Sequence, residues 1–136
     1  MYNTLEDLKI LCGKKPDAMG MDDVNPLSTG KTEWVTFLES ASEFALNKIL
    51  YWGFQTAPVE RLKQAEVWLV KAFLAEEEYY RSLNDVASIS LVGVQSITTR
   101  SMKPNEFNSV VKSFMDKAYS ILSEYASSSR DYVVVV

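Results

Sequence analysis

The chain contains no histidine and a single cysteine, Cys12, among its 136 residues. Without histidine, the commonest general base at neutral pH and the commonest metal ligand are both missing. Ser-His-Asp and Cys-His nucleophile systems are therefore excluded, and one cysteine can form neither an intrachain disulfide nor a cysteine-based metal cluster. Carboxylates and lysines could still support chemistry, but the sequence shows no catalytic apparatus built from them. We predict a protein without enzymatic activity and without a cofactor or metal.

The sequence also lacks long apolar runs and clustered basic residues. No stretch approaches the ~20 apolar residues that a membrane-spanning helix needs, and residues 1–7 have neither the basic nor the apolar region of a secretory signal. The 14 basic residues are scattered and the formal net charge is −4, so there is no positive patch suited to gripping nucleic acid. We expect a protein made inside the cell, with no membrane partner.

Apolar residues recur at the three-to-four spacing of amphipathic helices along much of the chain. This pattern predicts a mainly α fold, a small bundle of about four helices that occupies residues 1–126 as one domain. The predicted helices cover residues 4–12, 32–52, 58–84 and 104–125. Thr32 is the expected N-cap of the second helix, Gly53 its end, and Pro58 the first residue of the third.

Two segments depart from this helical pattern. Residues 86–99 are rich in β-branched side chains, alternate in part and carry Gly93 in the middle, so we predict a short extended or β segment with a kink or bulge. Residues 127–136 follow as a C-terminal tail, which begins with a serine run and ends in a tyrosine and four valines. Because valine and tyrosine favour pleated backbone, we predict that this tail is extended.

The end of the tail is the predicted partner-docking site, since a free valine strand would be an aggregation-prone edge in water. Its residues are Tyr132, Val133, Val134, Val135 and Val136. Burying a valine contributes ~1.5–3 kcal/mol at best, and fixing each residue costs about 1–2 kcal/mol. One copy therefore gains little, whereas strand addition to a partner's sheet edge, repeated around a ring, would be strong. The alternative is that the tail pairs with residues 86–99 or stays disordered.

Three polar segments of the sequence contain residue types that could bind a ligand. Ser28-Thr29-Gly30-Lys31-Thr32 opens a helix as the end of a P-loop does, but Asn25 stands where the first glycine belongs and no apolar strand precedes it. We interpret the segment as a loop followed by an N-cap. The acidic runs Asp22-Asp23 and Glu76-Glu77-Glu78 are interpreted as solvated faces rather than calcium or magnesium sites. The loop that contains Asp22 and Asp23, residues 13–31, is long enough to suggest a partner-facing role.

The order of elements carries a family resemblance. A helix over residues 34–47 leads into Tyr51-Trp52-Gly53-Phe54, Pro58 opens a long helix rich in alanine and aromatic residues, and a segment with valine and glycine follows at 86–97. This order resembles the head-to-tail connector (adaptor) proteins of tailed bacteriophages over about residues 32–99. The resemblance is a pattern of elements, because the family has no invariant motif.

The resemblance implies a structural virion protein that forms a ring, commonly a dodecamer, below the portal and joins the capsid to the tail. The implied partners are the portal protein and tail or neck proteins, with a C-terminal extension docked on the portal. DNA would pass through the lumen without sequence-specific binding. The implied location is the neck of the virion, after assembly in the host cytoplasm.

Two other functions stay open from the sequence. One is a cytoplasmic helical protein-binding module without enzymatic activity, in which the helix over residues 105–125 packs against a partner helix. The other is a nucleotide-dependent enzyme built on Gly30-Lys31-Thr32.

Overall fold

The computed structural model describes residues 1–92 and 104–134 of the chain. Within these ranges there are four α-helices: α1 at Leu5–Leu11, α2 at Glu33–Trp52, α3 at Val59–Val92 and α4 at Pro104–Val134. A short 3-10 helix, Pro16–Met19, lies between α1 and α2. The described ranges contain no β-strand, so the prediction of a mainly α fold with about four helices is confirmed.

Capping side chains define where α1 and α2 begin. Thr4 Oγ1 accepts a hydrogen bond from the N–H of Asp7 (3.2 Å), and Thr32 Oγ1 accepts one from the N–H of Val35 (3.2 Å). α2 ends at Gly53, whose φ of 81° lies in the left-handed region that glycine adopts without steric cost. The predicted N-cap at Thr32 and the predicted end at Gly53 are therefore confirmed.

α3 is the central helix and runs antiparallel to α2. The Ser42 hydroxyl donates to Glu66 Oε2 (2.7 Å). Phe37, which precedes Ser42 in α2, contacts Phe73, which follows Glu66 in α3, at a distance of 5.3 Å between ring centroids. Earlier residues of α2 thus meet later residues of α3, which is the arrangement of a helical hairpin.

α4 is also antiparallel to α3, whereas the N-terminal segment runs parallel to it. Trp68 stacks on Phe114 (5.8 Å between centroids) and Arg61 Nε donates to the Tyr125 hydroxyl (3.3 Å). The N-terminal segment contacts α3 through Asn3 at one end and through Lys14, whose ammonium group pairs with Glu78 (2.6 Å), at the other. α3 is therefore covered on three sides by its own chain: α2, α4 and residues 1–20.

A continuous apolar core joins the four helices. Each contributes side chains that are at most 1% exposed, including Leu8, Trp34, Leu69 and Leu122. Alanines at the contact positions allow the helix axes to approach closely; the fully or almost fully buried ones are Ala41, Ala45, Ala65, Ala72 and Ala118. Burial of each leucine contributes ~1.5–3 kcal/mol, so this core supplies the main stabilising term.

The predicted β segment is wrong over the part that the structure describes. α3 continues through Val92, so residues 86–92 are helical, while residues 93–99 lie outside the described ranges. The sequence contains neither glycine nor proline from Val59 to Val92. Once a helix is nucleated, each further residue adds a hydrogen bond, and β-branched residues reduce helix propensity only slightly. The β preference of these residues reflects packing against a neighbouring strand, and without such a strand it does not oppose the helix.

The predicted extended tail is likewise wrong over residues 127–134. α4 continues through Val134; Val135 and Val136 lie outside the described ranges. No glycine or proline follows Pro104. Serine and valine each cost at most ~0.7 kcal/mol relative to alanine in a helix, so the serine run does not end α4.

The end of α4 extends past the first residue of α3. Arg61, near the start of α3, bonds to Tyr125, and α3 begins only two residues earlier, at Val59. Because the two helices are antiparallel, the backbone of α4 after about residue 127 lies beyond the first residue of α3. At 1.5 Å per residue, residues 127–134 extend about 12 Å from this end.

Replacing the α2 cap, Thr32→Ala, should lower the free energy of unfolding by about 1 kcal/mol, because the Val35 N–H loses its acceptor. The Thr32 hydroxyl also donates to Asp23 Oδ1 (2.7 Å), so Thr32→Ser should retain most of the stability. Thr36→Ala is the matched control, since Thr36 is exposed one turn inside α2 and alanine is the better helix former. Urea denaturation measures all three; equal losses for Thr32→Ala and Thr36→Ala would contradict the cap's role.

Candidate functional site

A buried carboxylate, Glu66, is the polar centre of the bundle. Its side chain is fully buried and accepts four hydrogen bonds. Oε1 receives the backbone N–H and the Nδ2 of Asn3, both at 2.8 Å. Oε2 receives the Ser42 hydroxyl at 2.7 Å and the backbone N–H of Tyr2 at 3.2 Å. One carboxylate thus joins the N-terminal segment and α2 to α3.

The surroundings of Glu66 fit a structural role rather than a catalytic one. Its four contacts are all donors, which suits an acceptor-only carboxylate, and no buried side-chain nitrogen or oxygen among the described residues lacks a hydrogen-bond partner.

Sequence reasoning missed Glu66. The available signal was its position: a charged residue four places after Leu62 and three before Leu69, on the apolar stripe of its helix.

The segment that resembles a P-loop makes contacts that stabilise the start of α2. The Lys31 ammonium pairs with Glu39 (2.9 Å), and the Thr32 hydroxyl lies between the N–H of Val35 and the carboxylate of Asp23. The interpretation of these residues as a loop followed by an N-cap is therefore confirmed.

Residues of both acidic runs form hydrogen bonds or ion pairs within the chain. Asp22 accepts hydrogen bonds from the backbone N–H of Val24 (2.9 Å) and from the side-chain amide of Asn25 (3.1 Å), and these bonds lower the pKa of the Asp22 carboxyl. Glu77 pairs with Arg81 (3.2 Å), and Glu78 with Lys14 as described above. Within residues 1–92 and 104–134, no group of three or more acidic or cysteine side chains is placed to hold a metal ion.

The predicted docking residues lie at one end of the bundle. Tyr132, Val133 and Val134 are in the last turn of α4, whereas Val135 and Val136 are outside the described ranges. The same end carries the turn between α2 and α3, because α4 is antiparallel to α3 and its C-terminal part lies beside the start of α3.

This end of the bundle exposes apolar side chains. Leu50 is 59% exposed, Tyr51 82% and Val59 56%. Beside them, the ring of Tyr119 meets the edge of Trp52 at a centroid distance of 5.2 Å. Leu50 and Tyr51 have no role in the core stripe of α2, and sequence reasoning assigned them none. The signal was available as apolar residues that fall off the helical stripe.

A second exposed surface is a groove along α3, between the N-terminal segment and α4. It has a volume of about 350 Å³, and its lining includes Leu11, Glu60, Lys63, Val67, Trp68 and Lys71. Two ammonium groups lie over the Trp68 ring, with Lys71 Nζ 4.4 Å and Lys117 Nζ 4.5 Å from the ring centroid. The groove is therefore an aromatic surface bordered by positive charge, and only tertiary packing brings Lys117 to it.

Comparison with protein-family models, curated proteins and solved structures finds no match for this chain. Among the described residues, no helix combines the length and apolarity needed to cross a membrane. The two exposed surfaces, the apolar end and the Trp68 groove, are therefore the basis for inferring function.

Removing the central carboxylate, Glu66→Ala, should lower the free energy of unfolding by about 3–5 kcal/mol, since each buried donor left unpaired costs ~1–3 kcal/mol. The matched control is Glu43→Ala, an exposed glutamate in mid-α2 beside Ser42, which should change stability by less than about 0.5 kcal/mol. Denaturant unfolding monitored by tryptophan fluorescence measures both. Similar values for the two variants would show that the Glu66 network contributes little.

Proposed function

We propose that this chain is a non-enzymatic structural connector of a tailed-bacteriophage virion, which assembles as a ring below the portal and joins capsid to tail. The observation that carries the proposal is the bundle end where α4 projects beyond exposed Leu50, Tyr51 and Val59. The order of elements, which resembles the connector family, supports the same assignment. The portal protein and the tail or neck proteins are the proposed partners.

The exposed apolar end has the character of a docking surface. Single exposed apolar residues are normal on any protein, but here three of them share one end with the tyrosine-valine terminus of α4. Aromatic residues are enriched at protein interfaces because they bury a large apolar area and keep one polar group. Tyr51, which is 82% exposed, is the natural anchor of such a contact.

The helical state of residues 132–134 is compatible with docking by strand addition. Valine in a helix is at most ~0.7 kcal/mol less favourable than alanine per residue, and terminal turns open at little cost. A partner with a free sheet edge could therefore draw the terminus into an extended strand, with main-chain hydrogen bonds supplying the affinity. Each contact would be modest, and many copies in a ring would make it strong through effective concentration.

The remaining features suit a connector. The net charge of −4 fits a ring whose lumen lets DNA pass without holding it. The alternative, a cytoplasmic binding module, requires the apolar stripe of α4 for a partner helix. That stripe already packs within the chain, because Ala118 and Leu122 are fully buried. The connector is therefore the better supported of the two.

Deleting residues 130–136 should abolish binding to the portal protein encoded in the same genome, and should leave the helical circular-dichroism signal and the unfolding temperature nearly unchanged. The pair Leu50→Ser/Tyr51→Ser should weaken the same binding. Val24→Ser is the matched control, since Val24 is 80% exposed in the loop before α2 and is not part of this end.

Co-sedimentation with purified portal rings measures this binding. Undiminished binding by the truncated chain would refute docking through the tail. Equal losses for Val24→Ser and the Leu50/Tyr51 pair would show that the effect is not specific to the apolar end.

A further inference from the structure

We propose that a second copy of this chain docks the acidic outer face of its α2 into the Trp68 groove, so that neighbouring subunits join head to tail. The inference rests on the proposed ring and names the surfaces that close it.

The groove carries an excess of positive charge. Lys63 and Lys71 line it together with one acidic residue, Glu60, and Lys117 lies over the Trp68 ring. Among the described residues, none of these three lysines forms an ion pair; the pairs present involve other cations. Cations held over an aromatic face are already oriented, so carboxylates that approach the groove meet fixed partners.

The outer face of α2 carries the complementary charge. Its exposed positions recur every three or four residues: Glu33, Thr36, Ser40, Glu43 and Asn47. Glu39 lies half-buried beside this row and pairs only with Lys31, and Glu43 has no ion-pair partner in the described part of the chain. The sole basic residue of α2, Lys48, sits over the rings of Tyr51 and Trp52 near the end of the helix. Glu33 and Glu43, with Glu39 beside them, therefore give this side of α2 a negative charge.

The two surfaces lie on different sides of the bundle. Glu66 faces α2 through its bond to Ser42. At about 100° per residue, Gln64, Trp68 and Lys71 lie about 140–160° around α3 from Glu66. The exposed row of α2 lies about 100–180° around that helix from Ser42, with Glu43 at its edge and Glu39 beside it. A contact between such faces uses different patches on the two copies, which makes it heterologous. Heterologous contacts close into rings or continue as filaments; they do not give two-fold dimers.

The chemistry of the contact predicts salt-dependent assembly. Complementary charges steer association and fix register, and exposed charges are screened over about 8–10 Å at physiological salt. Raising the salt concentration should therefore shift the oligomer toward monomer. The apolar end and the tail are not part of this contact, so ring formation and portal binding are separable.

A charge-reversal exchange tests the pairing on the full chain. One variant carries Lys71→Glu and Lys117→Glu in the groove, and the other carries Glu39→Lys and Glu43→Lys on α2. Each alone should lose the oligomer seen for the natural chain at low salt, with the apparent dissociation constant raised by about tenfold or more. An equimolar mixture of the two should regain it, because every interface then joins opposite charges again, and so should one chain with all four changes.

The charge-matched control is Lys15→Glu/Lys112→Glu, which makes the same change in net charge at two exposed lysines outside the groove. It should assemble like the natural chain. Analytical ultracentrifugation gives the oligomeric state, and circular dichroism verifies that each variant is folded.

Each outcome discriminates. If the reversed variants assemble unchanged, or if they disperse and the mixture does not recover, the proposed interface is wrong while the ring itself stands. A natural chain that stays monomeric at low salt and high concentration would overturn both. Loss of portal binding on tail deletion, with the oligomer intact, would support the connector whichever way the exchange turns out.

Discussion

The hydrogen bonds to the Glu66 carboxylate are the constraint on which the arrangement of this bundle depends. Burying a carboxylate is costly unless its acceptor sites are filled, and here two backbone N–H groups, one amide and one hydroxyl fill them. Only one placement of α2 and of the N-terminal segment on α3 supplies all four. Apolar contacts tolerate sliding between helices, whereas this network does not. We infer that Glu66 sets the register of α2 and of the N-terminal segment on α3, and with it the position of Leu50 and Tyr51 beside the start of α3.

Local signals determined the boundaries that the sequence could predict. The cap at Thr32, the end of α2 at Gly53 and the buried stripe from Trp34 to Ile49 depend on neighbours within a few residues. The two errors, at residues 86–92 and 127–134, share one cause. Both assumed that β-branched residues act by intrinsic preference, although that preference reflects packing on a neighbouring strand. No strand is present in the described residues, and with no glycine or proline to stop them α3 and α4 continue.

The candidate sites were harder to predict than the fold because they are built from distant parts of the chain. Asn3 and Glu66 are 63 residues apart in sequence, and no helical periodicity relates them. The groove likewise joins Leu11 and Trp68 with Lys117, which the sequence shows only as isolated residues. Leu50 and Tyr51 differ, because their position outside the apolar stripe of α2 can be read from the sequence. Their grouping with Val59 at one end of the bundle depends on the fold.

The exposed surfaces fall into two groups according to their position relative to the helix axes. The Trp68 groove and the acidic row of α2 lie on the sides of the helices, so contacts through them place neighbouring bundles side by side. The apolar end and the terminus of α4 lie along the helix axes, so contacts through them stack the bundle on something above or below. A protein that binds one partner needs a single surface. In the proposed ring, lateral contacts between different faces would hold the subunits together, and the axial end would attach them as a unit to another ring.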